Sequence, residues 1–183
     1  MNFHFFGNNK AIDLVNTESA AASGTTDLLA SQEALSDWFE EAGIACGIQC
    51  SDKDLEETRE LRSAMRRIFD RVQESKSAAP GDLDLLNRRS NEMVRLLSAA
   101  NNNFKISVRL NSSTDILAML ASQCCELLAS NRLGSIRKCA STKCTYYFFD
   151  TSKNQQRQWC SMETCGNRHK MRKHYDRSRG DSS

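Results

Sequence analysis

The sequence predicts a mostly α N-terminal domain with a small β element, an α+β class, joined to a small C-terminal four-cysteine module ending in a basic helix. Three observations predict it. Apolar residues recur at helical spacing through several segments, while clean period-two alternation occurs at Phe104–Leu110. Two Cys-x4-Cys pairs, Cys139/Cys144 and Cys160/Cys165, stand fifteen residues apart. Charge is also unevenly divided. Residues 132–183 hold 12 Lys/Arg and 4 Asp/Glu, net +8, whereas residues 1–131 are net −6. An acidic body joined to a basic module implies that the module alone meets a polyanion.

Composition narrows the class further. One proline and eight glycines argue against disorder and against a turn-rich all-β fold. No apolar run approaches the roughly 18 residues of a membrane span. The N-terminus lacks a basic region followed by an apolar core, so a cytoplasmic protein without a signal peptide is expected.

Phe3-His4-Phe5-Phe6 is an apolar opening, and Gly7-Asn8-Asn9-Lys10 is a turn. Ala11–Thr17 follows as a strand or the start of a helix, too short for periodicity to decide. Asp13 and Asn16 are polar groups in that apolar run and need partners if buried. They belong either to a buried hydrogen-bond network or, with Arg62, to a small-ligand pocket. Ser19–Thr26 reads as a loop. Ser31 caps a helix carrying Leu35, Trp38, Phe39 and Ala42 on one face, and Gly43 ends it.

Ser51-x-x-Asp54 opens a long helix with a stripe of Leu55, Thr58, Leu61, Met65, Ile68 and Val72. Arg62, Arg66 and Arg67 lie beside the stripe as a solvated face, or Arg62 reaches inward toward Asp13. Pro80-Gly81-Asp82 restarts the chain as a helix through Leu83, Leu86, Met93, Val94 and Leu97. Phe104–Leu110 is the strongest strand, expected to bury one face and to pair with the N-terminal segment or a second chain. Ser113 or Thr114 caps the next helix, which runs to about Ala129 with Cys124 and Cys125 as core thiols. Asn131–Ser135 is a connector. It divides residues 1–132 from a module at 133–179.

Cys139, Cys144, Cys160 and Cys165 suit one tetrahedral structural zinc ion, because each short loop can turn back and present two sulfurs. Two disulfides or four buried thiols are the other readings, the first disfavoured in a reducing cytosol. Tyr146–Phe149 is expected to be a strand with alternate side chains over the metal site. Four cysteines close the coordination, leaving His169 and His174 unused and no open position for hydrolysis. Beyond Cys165, the candidate DNA contacts are Arg168, Lys170, Arg172, Lys173 and Arg177 on the final helix, with Arg157 in the finger. Cations on both faces suit that helix to a DNA groove and its phosphates, or leave it as a solvated tail.

Cys165-Gly166-Asn167-Arg168, with the first Cys-x4-Cys pair, Phe148–Ser152, Trp159-Cys160-Ser161 and the basic tail, resembles the CGNR zinc-finger family. Ala11-Ile12-Asp13-Leu14-Val15-Asn16-Thr17 resembles the Leu-Asp-Phe-Val-Asn-Thr type of signature that opens ABATE domains, the usual N-terminal partner of that finger. The resemblance implies a bacterial, stress-responsive transcription regulator. Residues 1–132 would sense an unidentified small-molecule effector, form a homodimer, or both, and residues 133–179 would bind double-stranded DNA. The alternative is a zinc-stabilised protein- or RNA-interaction module. An enzyme is not expected: His4 is the lone histidine before the finger, and neither a phosphate-binding glycine loop nor a nucleophile motif is present.

Overall fold

The computed structural model describes residues 3–21, 24–100 and 103–180, without the side chains of 20, 21, 24, 25, 100, 174 and 176–180. The shortest α-helix, α1 (Lys10–Val15), sits at the centre. Ala11, Ile12, Leu14 and Val15 are fully buried, and Lys10 at the first turn is half-buried. Asn9 caps it, its side chain accepting from the Ala11 and Ile12 N–H groups. Gly7 is required just upstream: a Cβ there would stand 2.7 Å from Ile12 Cγ2. Its N–H instead donates to Asp13 Oδ1 at 2.8 Å.

Around α1 pack α3 (Asp52–Gln73) and α5 (Ser113–Ala129), with α2 (Gln32–Glu41) against α3 and α4 (Pro80–Asn91) against α3 and α5. The apolar stripe of α3 explains its position, since Leu61, Ala64, Met65, Ile68 and Phe69 are all buried. Ser51 and Asp54 form the expected capping box. Ser31 caps α2 through the Ala34 N–H. Gly43 closes that helix with φ of 65°, the Ile44 N–H returning to Phe39 O at 3.0 Å. None of the helices among the described residues is long and apolar enough to cross a membrane.

Several expectations need correction. The N-terminal segment is helical and does not pair with the 104–110 strand. That strand, β4 (Asn103–Val108), pairs antiparallel with β3 (Arg95–Ala100), a stretch expected to continue a helix. α4 stops at Asn91, and Leu96 and Leu97 beyond it stay exposed. The expected buried face of β4 is also absent, every residue from Asn103 to Ser107 being exposed. Ser19–Thr26 is not a plain loop: β1 (Glu18–Ala21) pairs with β2 (Gly24–Asp27). Ser112, not Ser113, caps α5, and Ser113 donates instead to Asp54 on α3.

Arg62 does not face Asp13. It is buried and forks onto both oxygens of Asp27 at 2.6 and 2.7 Å, with a third bond to Thr17 Oγ1 at 3.0 Å. Arg66 donates to the Val15 and Glu18 carbonyls and pairs with the Glu18 carboxylate at 3.3 Å. These arginines therefore fasten the β1–β2 hairpin to α3 and are not a solvated face.

After α5, a short 3₁₀ turn (Leu133–Ser135) leads into β5 (Ile136–Lys138). β5 pairs antiparallel with β6 (Tyr147–Phe149). A π-helical turn (Met162–Gly166) then opens into α6 (Asn167–Gly180).

Candidate metal centre

β6 is what joins the two halves. Its alternate side chains point into different clusters, as the pleat requires. Tyr147 is buried in the main core against Phe69, and its hydroxyl donates to Asp70. Phe148 is buried beside the cysteines, with Tyr146 and Trp159 packed next to it. One edge of β6 is taken by β5. At the other edge the Asn16 amide acts like a strand residue: Nδ2 donates to Tyr147 O and Oδ1 accepts from Tyr147 N–H, both at 2.8 Å. Gly7 O accepts the Phe149 N–H at 2.8 Å, and Asn8 Nδ2 donates to Phe149 O at 3.0 Å. The opening segment thus lies along the finger, and Phe6 packs on its small core.

This arrangement brings the four cysteines together. Their sulfurs all lie within 4.8 Å of one another, with Cys144···Cys160 at 3.7 Å and Cys160···Cys165 at 3.6 Å. Four sulfurs at roughly 2.3 Å from a tetrahedral ion stand about 3.8 Å apart, whereas a disulfide needs about 2.05 Å. Spacing and donor set fit one zinc ion. The hydrogen bonds from Cys144 and Cys160 pull the Cys139 thiol down and push their own thiols up. Four thiolates this close repel one another, and a shared cation removes that repulsion. Zinc held by the Sγ atoms of Cys139, Cys144, Cys160 and Cys165 would tie the two loops together.

Asp150 and Arg157 brace the loop between the knuckles. Burial alone would raise the fully buried Asp150 carboxyl. Hydrogen bonds from the Ser152 hydroxyl, the Ser152 and Arg157 N–H groups, and Arg137 outweigh it and hold the group below the usual carboxylate range. Arg157 is not directed toward solvent as a DNA contact should be. Its guanidinium stacks 4.5 Å over Phe148 and donates to the carbonyls of Trp159 (2.8 Å), Phe6 (3.2 Å) and Cys160. Nε and Nη2 are thus committed to the finger and to the opening segment.

The other proposed contacts sit differently. Arg168, Lys170, Arg172 and Lys173 are exposed along the first turns of α6. Arg168, Arg172 and Lys173 line a groove of about 770 Å³ with Ala140–Lys143 of the first knuckle, His169 and Trp159. The Trp159 and His169 rings meet at a tilt of 32° with centroids 4.7 Å apart. The Arg177 side chain lies outside the described residues. Asp13, Asn16 and Arg62 do not converge on one cavity, since each has the protein partner given above. Asp13 lines a shallow depression with Asn9, Lys10 and Gln123. The bracing roles of Phe6, Gly7, Asn8 and Arg157 were not read from sequence. The only local signal was the polar Asn16 in an apolar run, which required a partner without naming it.

Residues 135–178 match the CGNR zinc finger family, which fixes the class of the C-terminal part. Residues 8–131 match the ABATE family, described as "Putative stress-induced transcription regulator", and the chain belongs to that family. No curated protein matches the chain.

Proposed function

We propose that this chain is a zinc-dependent transcription regulator that binds double-stranded DNA through the groove between its first knuckle and α6. The observation that carries this reading is the gathering of Lys143, Arg168, Arg172 and Lys173 in one groove beside a four-thiol site. Among the described residues no carboxylate lines that groove, and the body that carries it is net acidic. Lysine and arginine at such a surface neutralise phosphates and release counterions on binding. Zinc supplies the rigidity of the knuckle that forms one wall. The proposed DNA contacts are Arg168, Lys170, Arg172, Lys173 and Arg177, with the N-terminal domain responding to an effector.

Gel-shift titration of duplex DNA, with and without a chelator, tests the proposal. Chelation, or Arg168→Ala combined with Lys173→Ala, is expected to weaken binding at least tenfold. Binding unchanged by both treatments sinks it. A protein or RNA partner is the second reading, favoured by Met171 and Tyr175, which are 73% and 59% exposed on the same helix. Stable capture of RNA or protein by a chain that ignores duplex at low salt would establish that reading instead.

A further inference from the structure

The β3–β4 hairpin carries a second surface, unrelated to the finger. Its register pairs Leu97 with Ile106, Ala99 with Phe104, and Arg95 with Val108. Directly paired residues share a face, as do residues two apart on a strand. One face therefore presents Leu97, Ala99, Phe104, Ile106 and Val108, and the other presents Leu96, Ser98, Lys105 and Ser107. The apolar face points away from the protein: Phe104 is 74% exposed, Leu97 68% and Ile106 65%. Only its base, at Val108, packs on the main core. The one charge on this face, Arg95, lies at the same end and pairs with Glu126 of α5 at 3.5 Å.

A two-stranded hairpin is marginal in water and needs a further strand or a packed face. We infer that this face is the contact between two copies of the chain, the hairpins stacking face to face across a two-fold axis. Apart from Arg95 at its base, which Glu126 neutralises, the face carries no charge, so beyond that end it offers nothing to an acidic or basic partner. It meets its own copy without like-charge repulsion. A two-fold contact also closes on itself, whereas a head-to-tail one would propagate. Lys105 would remain in solvent on the outer side.

The area sets the expected strength. The three large side chains expose on the order of 400 Å² per copy, taking roughly 150–200 Å² for each fully exposed side chain. The pair then buries about 800 Å² of apolar surface, below the roughly 1,200 Å² at which specific stable interfaces begin. The dimer is therefore a reversible one, with a dissociation constant in the micromolar range.

Sedimentation equilibrium of the zinc-loaded full chain, from about 1 to 100 μM, brackets such a constant. The expected result is a mass rising from 20.6 kDa toward twice that value. Phe104→Ser with Ile106→Ser should weaken association at least thirtyfold, while Lys105→Ser leaves it unchanged. A wild-type chain that stays at 20.6 kDa throughout overturns the inference. So does a folded double variant that still dimerises. Should the double variant fail to fold, a photo-crosslinking residue at position 106 of the otherwise native chain decides the matter. Crosslinks joining the 103–108 segments of two copies support it, and crosslinks only to other surfaces overturn it. Mass is the readout, so the result stands whether or not the chain binds DNA.

Discussion

Asn16→Ala removes the amide that completes the open edge of β6. The side chain makes two 2.8 Å hydrogen bonds, to Tyr147 N–H and Tyr147 O, and Asn16 and Tyr147 are both buried. Truncation leaves one backbone donor and one acceptor facing a void, at about 1–3 kcal/mol each. A loss of about 3–5 kcal/mol follows, or about 10 °C in Tm for a chain of this size. Because β6 lies between the two knuckles, zinc should also pass faster to a chromogenic chelator. Asn16→Asp separates the two bonds. A carboxylate still accepts from Tyr147 N–H but repels Tyr147 O, so this variant is also unstable at neutral pH. It should recover partly as pH falls, when the protonated acid can donate again. Urea unfolding followed by circular dichroism, run beside the chelator assay, measures both effects. A loss below about 1 kcal/mol with an unchanged rate of zinc transfer refutes the joining role given to Asn16.

Arg157→Lys should destabilise the finger without changing the slope of log K against log salt, while Arg168→Ala and Lys173→Ala each reduce that slope by about one. A slope reduced by Arg157→Lys would put its guanidinium on phosphate after all. Burial raises the Asp13 carboxyl from 3.8 to about 6, against the lowering effects of the Gly7 N–H and Lys10. The folded chain then holds that proton more tightly than the unfolded chain. The stabilising contribution is complete below about pH 4 and is lost as pH rises through about 6. Asp13→Asn, which keeps a carbonyl for Gly7, should gain on the wild type across that window by up to about 3 kcal/mol. A pH-independent difference in unfolding free energy contradicts this. Chelating zinc should lower the melting of the whole chain in one transition, because Ile136 and Tyr147 of the finger belong to the main core. Separate melting of an intact N-terminal part by calorimetry would refute that coupling.

Legibility in the sequence followed the distance over which each feature is determined. The four cysteines lie within one short stretch, so spacing alone pointed to a shared ion, and their sulfurs do converge. The caps at Ser31 and Ser51 and the stop at Gly43 are local chemistry and read directly. β3 was misread because Met93, Val94 and Leu97 mimic helical spacing, while its actual partner is the next strand and not a core. Burial could not be read from alternation in β4, whose Phe104 and Ile106 are left uncovered by the described residues, only Val108 reaching the core. Arg62 and Arg157 show the other limit. A guanidinium looks the same in sequence whether it faces water, a carboxylate 35 residues away or a row of carbonyls. The partner of Asn16, 131 residues along the chain, is set by tertiary structure alone.

The two-sided strand Tyr147–Phe149 limits how the chain can change length. Tyr147 is committed to one cluster and Phe148 to the other. An insertion or deletion of a single residue between Cys144 and Tyr147 would exchange their directions, placing each ring where the other belongs. The Thr151–Gln156 stretch is exposed throughout and buries no side chain in either cluster. Among natural variants of this chain, length differences in the spacer between the knuckles should therefore gather after Asp150 and avoid the two positions that follow Cys144.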